Sequence, residues 1–346
     1  MLRHRQVPVL LFPSEQEHTW SIYNIFDDEF SNLKLSLLYD KRFSGASEGW
    51  LLVSNKDYTV TLYRPSFISE GGISDANASI NLPCLFPPED AFDINDSPPE
   101  GFDLEEFQDI VEGYSHVIKA LITGDPLINP NDSTIIVSYG EKHELACIRY
   151  GKDTTWRKIE GEHRGIQDMV YYMNQFYAVD FVGSLVSFDP CYGTIKLIAP
   201  PIEEVYHATI WRYLVESCGE LLLVKRYISL LEGVRPRVTR KFRVFKFDFS
   251  SARWIEVKSL GDVALFVGDN SGISVLASNF NGCQANCIYF THDFCGLRTE
   301  TDRSCDIGVY SLESKSSKLF YDIDSSVSHR IYKRPPIWIV PLPRAY

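Results

Sequence analysis

Basic charge is in short supply in this sequence. Its 34 Lys and Arg are set against 46 Asp and Glu, a formal net charge of −12. General nucleic-acid binders displace counterions with basic surface, so no nucleic-acid partner is expected. Long apolar runs are also missing. No stretch holds eighteen uncharged apolar residues, so no membrane-spanning helix is expected. The N-terminus, "MLRHRQVPVLLFPSEQEH", begins basic, but its apolar part from Val7 to Phe12 is short, proline-interrupted and followed by no small-residue cleavage site. It fits neither a secretion signal nor a transit peptide and reads as the first strand of the fold. Cysteine is thin: eight in 346 residues make no disulfide framework. Several sit in apolar runs such as "ELACIRY" and "ANCIYF", where a free Cys acts as a small hydrophobe. A reducing compartment is expected, cytoplasmic or nuclear rather than organellar.

Helical periodicity is nearly absent. The one candidate is "DLEEFQDIVEGYSHVIKALI", residues 103–122, where Leu104, Phe107, Ile110 and Val111 follow helical spacing and Asp103 could cap. Catalytic motifs are absent as well. "SLGDVALFVGDNSGISV", residues 259–275, has Gly-Asp pairs around an apolar run. It lacks the Lys and the following helix of a phosphate-binding P-loop and the Glu of a calcium loop, so it reads as turns around a strand. Ser138, His143 and Asp153, or Cys218 with His207, could be grouped as triads, but no G-x-S-x-G elbow supports them. Cys283 and Cys287, with His292, Cys295 and Cys305 downstream, have an admissible zinc spacing, yet "CQANCIYF" runs straight into a strand. No catalytic residue, cofactor or metal site is expected.

What the sequence does have is aromatics, 13% of residues, and many short runs rich in Val, Ile, Leu, Tyr and Phe. Examples are "GWLLVS", "STIIVSYG", "ELLLVKRY" and "FRVFKFDF", each of strand length and separated by turn residues. "MNQFYAVDFVGSLVSFDP" reads as a hairpin turning at Val182-Gly183-Ser184. "LACIRYGKDTTWRKIE" and "FRVFKFDFSSARWIEV" share a shape in which a strand, a polar turn and a Trp lead into a second strand. Trp156 and Trp254 are 98 residues apart, about two propeller blades of roughly 40–50 residues. "IGVYSLESKSSKLFYD" repeats the shape without the Trp. The expected fold is all-β, one propeller of about six or seven blades over residues 1–346, with an acidic, partly helical insertion at 87–122. "VPVLLFP" and "PPIWIVP", both short, uncharged and bracketed by prolines, are expected to lie together and close the ring.

Two segments carry concentrated charge. Residues 87–112 are acidic with no basic residue. Residues 234–247, "VRPRVTRKFRVFKF", are basic, and Arg235, Arg237, Arg240, Lys241 and Arg243 are the candidate partner-binding residues. Residues 87–112 and 234–243 are both expected to be exposed. In an acidic protein, a basic loop suits an acidic or phosphorylated protein partner.

A resemblance covers about residues 5–342 and is strongest from 205. "YLVESCGELLLVKRY", "RVFKFDFSSARWIEVKSLGDVALFVGDNSGISVLASNFNGCQANCIYFTHD", "DIGVYSLES" and "PPIWIVP" resemble the plant F-box-associated family described as the KIB-type β-propeller, and "GWLLV" and "LPCLFPP" extend the likeness towards the N-terminus. In that family the propeller commonly follows an F-box, which docks on the Skp adaptor of a Skp–Cullin–F-box ubiquitin ligase, while the propeller holds the substrate. No pattern like "LP.EL...IL..L" precedes Val7, so these residues alone are not expected to bind a Skp adaptor. The resemblance implies a non-catalytic protein-interaction propeller. The alternatives are an F-box-less scaffold, possibly organellar, and a hydrolase with its site at the propeller channel.

Overall fold

The computed structural model describes residues 7–13, 20–26, 29–33, 43–47, 49–55, 59–64, 78–86, 117–140, 142–202, 210–229, 238–269, 271–293, 306–320 and 335–340. These form six sheets. Blade one holds β1 (Val9–Pro13), β2 (Trp20–Asn24), β3 (Glu29–Leu33) and the C-terminal β25 (Ile337–Ile339). Blade two is β4 (Phe43–Ser47), β5 (Trp50–Ser54), β6 (Val60–Arg64) and β7 (Ala78–Leu82). Blade three is β8 (Val117–Ile122), β9 (Thr134–Tyr139), β10 (Glu144–Arg149) and β11 (Arg157–Ile159). Blade four is β12 (Ile166–Tyr172), β13 (Gln175–Asp180), β14 (Leu185–Asp189) and β15 (Thr194–Ala199). Blade five is β16 (Ile210–Ser217), β17 (Glu220–Ser229), β18 (Val238–Asp248) and β19 (Arg253–Val257). Blade six has five strands in the order β21 (Ser271–Leu276), β20 (Val263–Gly268), β22 (Cys287–Phe290), β23 (Gly308–Ser311) and β24 (Ser316–Leu319), with β20 and β22 parallel.

The inner strands β25, β4, β8, β12, β16 and β21 touch in a closed circle. They approach so closely that a Cβ on Gly45 of β4 would stand 2.7 Å from the Ala120 carbonyl oxygen, and one on Gly272 of β21 would stand 2.8 Å from that of Leu214. Only hydrogen fits there. The closure expected between the termini is present. Val9, Leu10 and Leu11 pair antiparallel with Ile339, Trp338 and Ile337, and the Trp338 indole donates to the Val267 carbonyl of blade six at 3.2 Å.

The core is divided into six apolar clusters, one in each seam between neighbouring blades. A blade is therefore covered on both faces, which is why its strands read as continuous apolar runs rather than alternating ones. In β20 all six residues are buried. Each fully buried Leu, Val or Phe in such a seam is worth about 1.5–3 kcal/mol.

The outer strands β11 and β19, led by Trp156 and Trp254, belong to blades three and five, two blades apart as their spacing predicts. The hairpin turn between β13 and β14 is also where it is expected. Asp180 Oδ1 accepts from the backbone N–H of Val182, Gly183 and Ser184 at 3.1, 2.8 and 2.7 Å.

The helical insertion needs correction. Among the described residues the only helical element is a three-residue 3-10 turn, Ala277–Asn279. Residues 117–122, expected to end a helix, are instead the innermost strand of blade three. "VIKALI" satisfies helical spacing locally, but it packs between two blades, and that tertiary setting overrides propensity. The insertion thus ends before Val117. Residues 87–116, including most of the expected helix and the whole acidic stretch, lie outside the described residues.

Candidate functional site

The inner strands all start on one face of the ring, here termed the loop face. The β17–β18 hairpin of blade five opens onto it. Arg235 and Arg237 lie outside the described residues, between these two strands. Arg240, Lys241 and Arg243 lie on β18.

A bulge decides where they point. Tyr227 pairs with Lys241 and Ile228 with Thr239, so Arg240 has no opposite number on β17. The extra residue breaks the alternation of the strand. Thr239 and Phe242 are buried, and both residues between them are exposed. A regular strand would have turned one of the two cations inward. The Lys241 ammonium lies 4.7 Å from the centre of the Tyr227 ring, and the Arg240 guanidinium reaches Ser229 Oγ at 3.4 Å. Among the described residues neither has a carboxylate within ion-pair distance.

Arg243 behaves differently. Its Nε pairs with Glu256 Oε1 of β19 at 2.9 Å, and its guanidinium lies 4.9 Å from the Phe245 ring centre. Hydrogen bonds from Arg243 and then Lys258 hold the Glu256 carboxyl down at about 2. Register places Arg243 beside Lys225 of β17, and Lys225 beside Arg212 of β16. This row occupies the blade-four side of blade five. There Arg212 donates to Gln167 Oε1 at 3.2 Å and to the Ile210 carbonyl at 3.1 Å.

The opposite side of the hairpin is anchored to blade six by Arg226, which is fully buried. Its Nη1 donates to Asp293 Oδ2 and to the Thr291 carbonyl, both at 2.6 Å. Its Nη2 donates to Asp306 Oδ2 at 3.2 Å and its Nε to Thr239 Oγ1 at 2.7 Å. Thr239 donates through N and Oγ1 to Asp306 Oδ2, each at 2.5 Å, and the Tyr213 hydroxyl donates to Asp293 Oδ2 at 2.5 Å. Burial opposes the Arg226 charge, but Tyr213, Asp293 and Asp306 around it outweigh that and raise its pKa. Burial pushes the Asp293 carboxyl above the usual carboxylate range despite Arg226, and its Oδ1 has no hydrogen-bond partner among the described residues. Thr239 thus roots the base of the bulge, and Arg240 and Lys241 project from a fixed point.

A second buried pair ties three inner strands together at the same end. Lys119 Nζ of β8 lies 2.8 Å from Asp168 Oδ1 of β12. Asp168 also accepts from Met169 N and, across the seam, from Leu214 N, both at 2.8 Å. Both Asp168 oxygens are thereby committed to holding the ring.

The other groupings come apart. His143 stands at the start of β10, where its Nδ1 meets the Ile166 carbonyl at 2.9 Å. Asp153 lies past the other end of that strand, gripped by Arg149 at 2.7 Å. The Ser138–His143–Asp153 triad is therefore not assembled. Cys218 lies in the β16–β17 turn on the far face, and His207 is outside the described residues. Cys283 and Cys287 sit before and at the start of β22, whereas His292 lies beyond its other end, roughly 16 Å from Cys287 along a strand. Cys295 and Cys305 are outside the described residues. In the 259–275 stretch, Asp262 accepts from Ser278 N at 3.1 Å and Oγ at 2.5 Å. Gly261 has φ +61°, and the second Gly-Asp pair leads the turn between β20 and β21.

Comparison with known proteins agrees with this architecture. The family described as KIB1-4 beta-propeller matches residues 22–311. The chain belongs to the KIB1-4 β-propeller family. Its relatives include F-box protein At2g26160 of Arabidopsis thaliana, 31% identical over 203 residues, 55% of this chain and 57% of that protein. F-box protein SKIP23 of the same plant is 29% identical over 220 residues, 58% of this chain and 52% of that protein. Probable F-box protein At1g65740 is 29% identical over 285 residues, 75% of this chain and 74% of that protein. The chain thus spans about half the length of the first two. Among solved structures, the Cps50 (Swd1) β-propeller of Myceliophteria thermophila aligns over 92% of this chain and 86% of its own at 10% identity and a TM-score of 0.39. Among the described residues no helix is long and apolar enough to cross a membrane.

Proposed function

We propose that this KIB1-4 propeller is a non-catalytic recognition module whose loop face at blade five takes an acidic or phosphorylated segment of a partner protein. The observation that carries this reading is the Arg240–Lys241 bulge, two adjacent exposed cations without carboxylate partners among the described residues, mounted on a hairpin rooted by buried ions. Arg235 and Arg237 add basic charge in the intervening sequence. The names of the relatives support a place in an F-box ubiquitin ligase, where such a ring would hold the substrate. Residues 1–346 on their own are expected not to co-purify with a Skp adaptor.

The test is a fluorescence-anisotropy titration of the whole chain against labelled acidic peptides and their phosphorylated forms, repeated with Arg240→Glu/Lys241→Glu. Charges more than about 10 Å apart are screened at 0.1 M salt. Binding through this face should therefore weaken as salt rises and be lost in the double variant. Binding indifferent to both would remove blade five from the interface.

A further inference from the structure

The blade three–four seam places a buried thiol beside the backbone of a second cysteine. Cys147, on β10, is fully buried in that seam. Its Sγ–H donates to the Pro190 carbonyl oxygen at 3.7 Å. That oxygen belongs to the peptide unit entering Cys191, whose Cα stands roughly 2.8 Å from it by standard peptide geometry. The Cys147 sulfur is thus within about 6.5 Å of the Cys191 Cα, a gap that side-chain rotation and a small backbone shift can close to disulfide geometry.

The surroundings give the two cysteines different roles. Cys191 is exposed. It sits in a tight turn whose backbone is fixed by Cys191 N donating to Asp189 Oδ1 at 2.7 Å and Gly193 N to the Asp189 carbonyl at 2.9 Å. Arg149, two residues beyond Cys147 on the same strand, is oriented by Asp153. Exposure lets peroxide reach the Cys191 sulfur, whereas Cys147 is shielded in the seam. The turn is also laced to blade three, because Glu160 N donates to the Gly193 carbonyl at 2.9 Å and Ile195 N to the Glu160 carbonyl at 3.2 Å. The two cysteines are therefore held near each other by backbone that belongs to both blades.

We infer that Cys191 is a peroxide-reactive cysteine and Cys147 its resolving partner, so that oxidation staples blade three to blade four. In the first step the Cys191 thiolate attacks hydrogen peroxide. The O–O bond breaks, hydroxide leaves, and the sulfur becomes a sulfenic acid. In the second step Cys147 gives up its proton and attacks that sulfur. The S–S bond forms as the S–O bond breaks, and the departing hydroxide takes up the proton as water. Overall, two thiols and one peroxide give one disulfide and two waters, with the peroxide reduced by the two electrons the sulfurs lose. Burial pushes the Cys147 thiol up to about 11. The second step should therefore be the slower one and, below that value, quicken close to tenfold for each unit the pH is raised.

The experiment treats the whole chain with equimolar hydrogen peroxide, blocks remaining thiols with N-ethylmaleimide, and maps tryptic peptides without reduction. Cleavage at Arg149 and Arg164 puts the two cysteines on different peptides. The expected result is a monomeric chain with the Cys147 and Cys191 peptides joined, a raised melting temperature, and reversal of both by dithiothreitol. Cys191→Ser, an exposed change that leaves the seam intact, should abolish the link and leave Cys147 a free thiol. Cys147→Ala should let dimedone trap Cys191 as the sulfenic acid. Oxidation of Cys191 to the sulfinic acid with Cys147 still reduced, or a Cys191 disulfide to a second chain, would overturn the inference.

Discussion

Blade five turns two differently built faces to its neighbours. Lys225 and Arg226 are consecutive on β17 and point to opposite sides. On the blade-six side, Arg226 is buried and its guanidinium is surrounded by Asp293, Asp306, Tyr213, Thr239 and the Thr291 carbonyl. On the blade-four side, the cations run outward from buried Arg212 and Lys225 through half-buried Arg243 to Lys241, which is exposed. The first arrangement fixes a hairpin root and offers nothing to a partner. The second buries Arg212 and Lys225 as well and leaves only Lys241 fully in water. The two faces thus differ in whether a cation is left in water at the outer end.

The largest effect should come from cutting the ring on which both faces depend. Deleting residues 337–346 removes the strand that pairs with β1 and exposes the β1 edge. The whole ring should melt earlier in one transition rather than fray at one end. A truncation that melts like the parent would mean that closure does not matter.

Next in size is Arg226→Ala. It leaves two buried carboxylates facing each other without their cation. Breaking a buried pair in this way typically costs about 3–5 kcal/mol, measurable by urea denaturation. A loss below 1 kcal/mol would place that face in the same class as the other.

A pH series separates the faces further. The folded pKa of Asp293 is raised by burial, so the folded state holds its proton at pH values where the unfolded chain has released it. Stability from this group is therefore fully present below the unfolded value of about 3.9 and declines as pH rises towards the raised one. Glu256, held at about 2 by Arg243 and Lys258, has the opposite sign. Its contribution is present above the unfolded value of about 4.3 and is lost as pH falls towards 2, and it is small because the pair is half exposed. Asp293→Asn should accordingly gain stability relative to the parent as pH rises from 4 to 7, whereas Glu256→Gln should lose its difference from the parent only in acid. Parallel curves for Asp293→Asn and the parent would contradict the assignment.

The smallest change in stability is expected from Arg240→Glu/Lys241→Glu, within about 0.5 kcal/mol as for other surface substitutions. The same variant should give the largest loss of binding to acidic peptides. A fall in melting temperature comparable to that of Arg226→Ala would show that these cations hold the fold.

The parts of the fold that could be read in advance are those with local chemistry. Proline brackets mark "VPVLLFP" and "PPIWIVP", which do pair. Trp156 and Trp254 mark outer strands because each follows a tight polar turn. "VIKALI" deceived because six residues can satisfy two periodicities and only the neighbouring blades choose between them. In the candidate site, exposed charge on β18 was legible, but the struts were not. Arg243 looks available until β19 folds beside it and supplies Glu256. Arg226 had a faint signal: two adjacent cations in the apolar run "LLLVKRYI" cannot both point the same way, and in a blade covered on both faces at least one must be buried. Its partners Asp293 and Asp306 are 67 and 80 residues away, and no local pattern links them.

The closing strand pair also gives the ring a direction. β1 runs antiparallel to β25, so Val9 and Ile339 both lie at the face opposite the one where the inner strands begin. Whatever polypeptide, tag or surface is tethered at residue 7 or residue 340 hangs from that side. The molecule therefore has a tether side and a loop side, set about one strand length apart. A chain held at residue 7 or residue 340 would present Arg240 and Lys241 outward, and lengthening the tether should alter how far that side reaches.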